Sequence, residues 1–322
     1  MAPTAPAQAQ SREQAPTRRS GPPVLGAAVS WDLMRSSRPY RRLFLAHYRA
    51  LTPENVMKMD SMAPAPDRLH FTEADGLVRW ARRHDVAVHG HALVWGKQLP
   101  AWMSGRDWEP GELRSWLESY VKAVVGHFRG RVDDWDVVNE PLAANGSLRR
   151  NLWLREIGPG YVADALRWAR EANPRARLYV NEFNIEGRSR KTRGMLALLK
   201  GLRGDGVPLD GLGLQTHLTT SFNPGRAELR ATMRRYAALG LAVDVSEMDV
   251  AAAPGRRDAL EQARIYRRVA AACRDLPACG RFTTWGFTDA STWLGTAQRP
   301  LPFSAAGEPK PAWRAIRSAL RR

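Results

Sequence analysis

The chain has 322 residues, 44% of them hydrophobic, and Lys and Arg outnumber Asp and Glu by 49 to 32, giving a formal net charge of +17. This length suits one large domain with a sizeable core, and no stretch approaches the roughly 18 apolar residues of a membrane span. The positive balance leaves two interpretations open. It could serve nucleic-acid or other polyanion binding, or the arginines could lie on solvated helix faces, which their scattered distribution favours.

The N-terminal segment, residues 1–22, is rich in Ala, Pro, Gln and Ser, a composition typical of a disordered arm. It has no apolar stretch of the kind a secretory signal needs. Export would therefore require a signal that has been removed or that lies upstream of the recorded start. We expect residues 23–322 to form one domain, because no linker divides them.

Short apolar runs alternate with amphipathic helical patterns after this arm. The predicted strands are Val24–Val29, His47–Leu51, Val86–His91, Val132–Val138, Arg177–Asn181, Gly211–Gln215, Leu241–Val245 and Arg281–Trp285. The helical patterns include Thr72–His84, Glu112–Phe128, Tyr161–Glu171, Lys191–Leu202, Ala227–Leu239, Arg257–Cys273 and the last helix, Lys310–Leu320. Eight such repeats at this length predict the α/β class and a (β/α)8 TIM barrel rather than an open sheet.

Polar, titratable or aromatic side chains follow most of the predicted strands, at the end where barrel active sites lie. Glu140 and Glu247 come at the ends of strands four and seven, on opposite sides of the predicted mouth. One carboxyl group on each side of a scissile bond is what glycoside hydrolysis requires. Asn139 is placed to bind a sugar hydroxyl, and Trp95, Trp285 and Trp293 offer apolar platforms for sugar rings.

A metal site and a cofactor are not predicted. No ligand set has recognisable spacing, and His89 and His91 are expected to point to opposite sides of their strand, which argues against shared coordination. The two cysteines, Cys273 and Cys279, fit either a local disulfide or a pair of buried thiols in a cytosolic enzyme.

An ordered set of segments resembles glycoside hydrolase family 10, the endo-β-1,4-xylanase family, from about Val24 to Leu320. The segments that carry the resemblance are Thr52–Lys58, Gly90–Trp95, Trp135–Pro141, Asn181–Asn184, Gln215–Leu218, Glu247–Asp249 and Thr284–Gly286. The resemblance implies a TIM barrel that cleaves internal β-1,4-xylosidic bonds of xylan by double displacement, with retention of configuration and without a cofactor.

Residue roles follow from the same resemblance. It implies that Glu140 is the general acid/base, that Glu247 is the nucleophile, that His217 orients the nucleophile and that Asp249 supports His217. Glu182, at the end of strand five, is a rival nucleophile from position alone, and the resemblance gives it a supporting role. The positions implied to contact the glycone sugars are Glu54, Asn55, Lys58, His91, Trp95, Gln98, Asn139, Gln215, Trp285 and Trp293.

The resemblance also implies a disulfide between Cys273 and Cys279, and with it a secreted protein, cytoplasmic location being the alternative. We expect a monomer whose partner is xylan or its oligosaccharides, with neither nucleic acid nor membrane. Two departures from the family pattern, Gly96 in place of His and Leu294 in place of Arg, keep two alternatives open. These are a catalytically weak sugar-binding barrel and a hydrolase of a different β-glycan.

Overall fold

A computed structural model describes residues 21–321, apart from the side chain of Arg256. The predicted N-terminal arm, except for Gly21 and Pro22, lies outside the described residues. The strands are β1 Val24–Val29, β2 Ala50–Pro53, β3 Ala87–Trp95, β4 Asp134–Asn139, β5 Arg177–Glu182, β6 Gly211–Leu214, β7 His217–Thr219, β8 Ala242–Ala251 and β9 Arg281–Thr284. The helices are α1 Trp31–Ser36, α2 Arg38–His47, α3 Met59–Met62, α4 Thr72–Arg83, α5 Glu112–His127, α6 Leu152–Glu156, α7 Tyr161–Ala172, α8 Arg190–Gly204, α9 Arg226–Ala237, α10 Arg256–Arg274 and α11 Pro311–Arg321.

All strand pairings are parallel, and they close on themselves. The order β6-β5-β4-β3-β2-β1-β9-β8 is completed by pairing of β6 with β8, so eight strands form a barrel. The short β7 continues the β6 chain and pairs with β8, placing His217 opposite Asp249. The predicted single-domain (β/α)8 barrel is confirmed. None of the helices in the described part of the chain is both long enough and apolar enough to cross a membrane.

The predicted second strand is wrong in position. We expected His47–Leu51, whereas β2 covers Ala50–Pro53 and His47 is the last residue of α2. Ser37 caps that helix through its side chain and Pro39 occupies its first turn, which are strong helix-start signals. Tyr40 and Phe44 are buried one turn apart, so the helix is amphipathic and runs up to His47.

The helices bury one face against the barrel. In α5 the buried side chains Leu113, Leu117, Val121 and Val124 recur at the three- and four-residue spacing that keeps them on one helix face. At the N-terminal end of the barrel, Arg281 of β9 lies 2.8 Å from Asp134 of β4, closing the interior with a buried ion pair. The opposite, C-terminal end is left open for a cleft.

Strand irregularities occur beside the open end. Four residues of β3, from His91 to Val94, face three of β4, and four of β8, from Val245 to Met248, face three of β9. An extra residue in a strand bends it and re-aims the neighbouring side chains, a device common next to active sites. The second of these bulges contains Glu247.

Candidate active site

A cleft of about 520 Å³ opens at the C-terminal ends of the strands. The structure brings into it both predicted catalytic carboxylates, His217 and all ten predicted sugar contacts. Its lining residues are Glu54, Asn55, Lys58, His91, Trp95, Lys97, Gln98, Asn139, Glu140, Phe183, Asn184, Gln215, His217, Glu247, Trp285 and Trp293. Asp249 is fully buried beneath this surface.

Glu140 follows directly after β4 and is held in an unusual backbone conformation. Its φ is +54°, in the left-handed region that residues other than glycine seldom adopt. Its amide donates to the carbonyl of Asn181 at 2.8 Å, and Nε of Arg149 donates to its carbonyl at 3.1 Å. These two bonds fix the turn, and such maintained strain is characteristic of functional sites.

The carboxyl group of Glu140 faces a cation at the rim. Nζ of Lys97 lies 3.2 Å from Oε2 of Glu140, and the guanidinium of Arg149 is 4.0 Å from the same oxygen. Oε2 has no hydrogen-bond partner among the described residues. Oε2 of Glu140 is therefore buried beside Lys97 and keeps an unused hydrogen-bonding position.

The carboxylate of Glu247 is held at both oxygens. Nδ2 of Asn181 donates to Oε1 at 2.5 Å, and Nε2 of His217 lies 3.1 Å from Oε2. Asn181 is itself fixed, because its amide nitrogen also donates to Asn139 and its amide oxygen accepts from Ser246. A carboxylate restrained from two directions keeps a defined orientation into the cleft.

His217 bridges two acidic groups. Its Nδ1 lies 2.9 Å from Oδ2 of Asp249, while Nε2 faces Glu247. Burial disfavours the imidazolium, but the charges of Asp249 and Glu247 outweigh burial and raise the pKa of His217 to about 10. At neutral pH the imidazolium therefore donates from both nitrogens, one to Asp249 and one to Glu247.

The remaining amide side chains of the cleft form one cluster. Oδ1 of Asn139 accepts from Asn181 at 3.0 Å and from Nε2 of Gln215 at 3.1 Å. With its oxygen used internally, Asn139 keeps its NH₂ group as the part that can meet a sugar hydroxyl or the glycosidic region. The cluster links the ends of β4, β5 and β6.

The expected orientation of His89 and His91 is wrong. Residues two apart on a strand share a face, and both imidazoles reach the same carboxylate, with His89 and His91 each 2.8 Å from Asp136. Burial opposes ionisation of Asp136, but the two imidazoles outweigh it and keep the pKa of that carboxyl below its usual range. His91 also lies 3.9 Å from Glu247.

Three potential ligand atoms of His91, Asp136 and Glu247 lie within 4.8 Å of one another. Because Nδ1 of His91 already hydrogen-bonds Asp136, this grouping is explained as a hydrogen-bond network. The expected absence of a metal site stays a prediction.

The opposite wall combines a buried lysine with aromatic rings. Nζ of Lys58 donates to Asn55 and Gln98 and lies 5.1 Å from the ring centre of Trp95. Burial lowers the pKa of Lys58, although Glu247 and Glu54 oppose that shift. The wall thus offers several hydrogen-bonding groups beside flat apolar surfaces, which is what a sugar ring requires.

Trp293 is anchored at the rim. Its Nε1 donates to Oδ2 of Asp249 at 2.7 Å, while 55% of the residue is exposed. Trp285, on the other side of His217, is nearly buried. The two indoles therefore border the space above Glu247.

Comparison with known proteins decides what this site belongs to. The sequence profile described as Glycosyl hydrolase family 10 matches residues 15–319. The chain belongs to glycosyl hydrolase family 10. Endo-1,4-beta-xylanase B of Thermotoga neapolitana is 39% identical over 297 residues, which are 90% of this chain and 85% of that protein.

Solved structures of the family share the fold. Xylanase 10B from Thermotoga petrophila RKU-1, solved in complex with xylobiose, has a TM-score of 0.89 and 36% identity, covering 92% of this chain and 94% of its own. The intracellular xylanase TsXylA from Thermoanaerobacterium saccharolyticum JW/SL-YS485 has a TM-score of 0.87 and 32% identity, covering 92% and 95%.

The departure at Gly96 has a local cause in this family 10 member. A Cβ atom at Gly96 would lie 2.9 Å from both Cβ and Nδ2 of Asn151, closer than side-chain packing allows. Asn151 caps α6 by accepting from the amide of Leu154 at 2.9 Å. The start of α6 therefore occupies the space in which a side chain at position 96 would begin.

Neither Gly96 nor Leu294 is among the described residues that line the cleft. Leu294 is half-buried, next to the exposed Trp293. Each departure follows a tryptophan of the cleft wall in the chain, and neither residue lines the cleft beside the two carboxylates.

Several residues with a part in the site were missed as site residues. Lys97, Phe183 and Asn184 line the cleft, and Asn181 and Asp136 hold cleft residues from below. Position after a predicted strand could have identified Phe183 and Asn184. Asn181 was visible as a strand-end amide, but its bond to Glu247 joins residues 66 apart in sequence.

Glu182, the rival nucleophile, is turned away from the cleft. It is fully buried and accepts from the amide of Leu142 at 2.9 Å and from Nζ of Lys191 at 2.7 Å. Burial raises the pKa of Glu182 to about 7, against the effect of Lys191. Its position indicates support of the backbone that follows Glu140.

Cys273 and Cys279 form a disulfide bond across the turn from α10 to β9. The bond implied by the family resemblance is therefore present in the structure.

Proposed function

We propose that this family 10 chain is a retaining endo-β-1,4-xylanase in which Glu247 is the nucleophile and Glu140 is the general acid/base. The observation that carries the proposal is the unequal treatment of two carboxyl groups facing one cleft. Glu247 is held at both oxygens by donors, whereas Oε2 of Glu140 has no hydrogen-bond partner among the described residues. The names of the relatives supply the substrate class, β-1,4-xylan.

In the first step, Glu247 attacks the anomeric carbon while the bond from that carbon to the glycosidic oxygen breaks. The proton of Glu140 passes to the departing oxygen, so the aglycone leaves as a neutral alcohol. The donors Asn181 and His217 hold the carboxylate of Glu247 in a fixed orientation before the attack. When one oxygen of Glu247 forms the ester, the other oxygen keeps its hydrogen-bond donor.

In the second step, water attacks the same carbon and gives its proton to Glu140, and Glu247 leaves as a carboxylate. Two inversions at one carbon give net retention. Asp249 keeps His217 charged and oriented throughout, so we propose a supporting role for it. The sugar contacts proposed from the resemblance surround the point of attack, with Trp95, Trp285 and Trp293 as walls and Lys58, Asn55 and Asn139 as donors.

Release of reducing sugar from glucuronoxylan tests the function, with Glu247→Ala and Glu73→Ala as matched variants. Glu73 is an exposed residue of α4 that does not line the cleft. We expect activity in the wild type and in Glu73→Ala, and none above background in Glu247→Ala. A folded wild-type protein that releases sugar from a β-glucan but not from xylan would contradict the substrate class.

We further propose that residues 23–322 act as a monomeric, secreted catalytic domain. The disulfide supports an oxidising compartment, while the relative described as intracellular shows that membership of the family does not decide location. Fractionation of the source organism, with thiol labelling of Cys273 and Cys279 in each fraction, tests location and oxidation state together. Light scattering tests the oligomeric state. Labelled thiols in a cytoplasmic pool would contradict secretion.

A further inference from the structure

Five arginines converge on one groove outside the barrel, away from the cleft described above. The groove has a volume of about 350 Å³ and lies between α9, α10 and α11. Its lining residues are Arg226, Arg264, Arg267, Arg268, Arg274, Ala271, Ser318 and Ala319. On α10, residues 264, 267, 268, 271 and 274 recur at helical spacing and so share one face. The small side chains of Ala271, Ser318 and Ala319 leave room between the arginines.

Two of these arginines are used by the fold. Arg268 donates through Nη1 to the carbonyl of Pro224 at 2.9 Å and also to the side chain of Asn223. Arg274 donates to the carbonyl of Ala319 at 2.7 Å, tying α10 to α11. Arg274 also forms an ion pair with Asp275 at 2.5 Å, whereas Arg268 has no carboxylate partner among the described residues.

The other three project outward. Arg264 is exposed, and it forms an ion pair with Glu261 at 3.1 Å on the protein surface. Within the described part of the chain, Arg226 and Arg267 form no ion pair, and both are exposed. Three of the five guanidinium groups, those of Arg226, Arg267 and Arg268, therefore have no carboxylate partner among the described residues.

We infer that this arginine groove is a second carbohydrate-binding site, which takes the glucuronate side groups of acidic xylan. The inference rests on the proposed xylanase function for the choice of polymer. The planar guanidinium fork matches a carboxylate in a bidentate way, and a concave surface between helices admits a short charged side group. The segment from His217 to Asn223 runs from the cleft to the groove. At the end of this segment, Arg268 donates a hydrogen bond to the side chain of Asn223.

Such a site would hold a long polymer near the cleft. A chain bound at two points dissociates more slowly than a chain bound at one, because rebinding at the second point is intramolecular. The effect applies to acidic polymer and not to short neutral oligosaccharides. The site should therefore strengthen the binding of acidic xylan and not the binding of a xylan that has the same backbone but no charge.

Binding to glucuronoxylan, measured by affinity electrophoresis of the full chain carrying Glu247→Gln, tests the inference. That substitution prevents hydrolysis, and excess xylohexaose occupies the cleft. The matched polymer is the same glucuronoxylan with its carboxyl groups chemically reduced to alcohols. The groove variant is Arg264→Gln/Arg267→Gln, and Arg82→Gln/Arg83→Gln, an exposed pair at the end of α4, carries the same change in net charge.

We expect residual binding to glucuronoxylan with the cleft occupied, weak binding to the reduced polymer, and a loss of about fivefold in the groove variant. The Arg82/Arg83 variant should bind like its parent. Equal losses in both variants, or equal binding to both polymers, would overturn the inference. Stronger binding of duplex DNA, lost in the groove variant alone, would also overturn it and make the groove a nucleic-acid site.

Hydrolysis of xylohexaose separates this inference from the proposed function. In an otherwise wild-type background, Arg264→Gln/Arg267→Gln should leave kcat and KM for this neutral oligosaccharide unchanged, which also shows that the variant is folded. It should raise KM for glucuronoxylan and not for the reduced polymer. A protein that fails to cleave xylohexaose would refute the proposed function. The electrophoresis measures binding without hydrolysis, so its result tests the arginine groove separately.

Discussion

Nε2 of His217 lies 3.1 Å from Oε2 of Glu247, and the ring's other nitrogen is bonded to the fully buried Asp249. The imidazole is therefore held between two carboxylates and carries a proton at neutral pH. The reaction and the stability of the barrel both depend on this proton.

His217 should make the stability of the protein depend on alkaline pH. Its pKa is raised from 6.5 to about 10 on folding, so the stabilisation is complete below pH 6.5 and is lost as the pH rises through about 10. The size of the effect is on the order of a few kcal/mol. Urea unfolding of the wild type and of His217→Gln at pH 6, 8 and 10 measures it.

The difference in unfolding free energy between these two proteins should shrink as the pH rises. Parallel pH dependences in the wild type and His217→Gln would contradict the raised pKa. His70→Gln is the control, since His70 is an exposed histidine outside the cleft.

Glu140→Gln should lower kcat/KM on xylan by about 10²- to 10⁴-fold, the usual contribution of a general acid. The rate of the glycosylation step should fall much less with a 2,4-dinitrophenyl xylobioside, because dinitrophenolate leaves without being protonated. Azide should then accelerate turnover, since it attacks the glycosyl-enzyme without needing a general base. Equal losses on both substrates would assign Glu140 to binding instead.

Asn181→Ala should lower kcat more than it changes KM. Asn181 holds Oε1 of Glu247 and does not line the cleft among the described residues, so it acts as a positioning residue through the nucleophile. We expect a loss of about tenfold or more in kcat, from one charge-assisted hydrogen bond. Steady-state kinetics on xylohexaose decide the matter, and an unchanged kcat with a raised KM would indicate direct contact with substrate.

Gly96→Ala should destabilise the protein by about 1–3 kcal/mol, because the new methyl group meets Asn151 in a packed region. The same change in an Asn151→Gly background should cost less, since the opposing Cβ is gone and glycine is an acceptable cap residue. Thermal unfolding of the four proteins completes the double-mutant cycle.

Gly201→Ala provides the control for that cycle. A Cβ at this α8 position meets nothing within 4 Å, so the substitution should stabilise slightly through helix propensity. Additive effects at positions 96 and 151 would show that the two sites do not touch.

The barrel and the end of it that carries the cleft could be predicted from local pattern, whereas the individual sugar contacts came from the family resemblance. Apolar runs followed by polar residues mark strand ends, and parallel strands bring those ends together. His217 and Gln215 follow one such run, and Glu247 follows another. Element boundaries failed where two signals overlapped, as at His47, which ends an amphipathic helix immediately before a buried strand.

Pairings across the barrel could not be predicted in the same way. The bond between Asn181 and Glu247, the approach of Lys97 to Glu140 and the contact between Gly96 and Asn151 each join separate loops or strands. They depend on bulges and on side-chain direction, neither of which has a local sequence signal. His89 and His91 show a different error, since the two-residue period places them on one face.

Trapping the covalent intermediate tests the central claim most directly. The wild-type protein is incubated with 2,4-dinitrophenyl 2-deoxy-2-fluoro-xylobioside, in which fluorine slows hydrolysis of the ester, and the digested protein is analysed by mass spectrometry. A retaining enzyme with this nucleophile should carry one fluoroxylobiosyl group on the peptide containing Glu247, and Glu247→Ala should carry none. A label on Glu140 or Glu182, or hydrolysis of xylan with inversion and no label, would contradict the assignment.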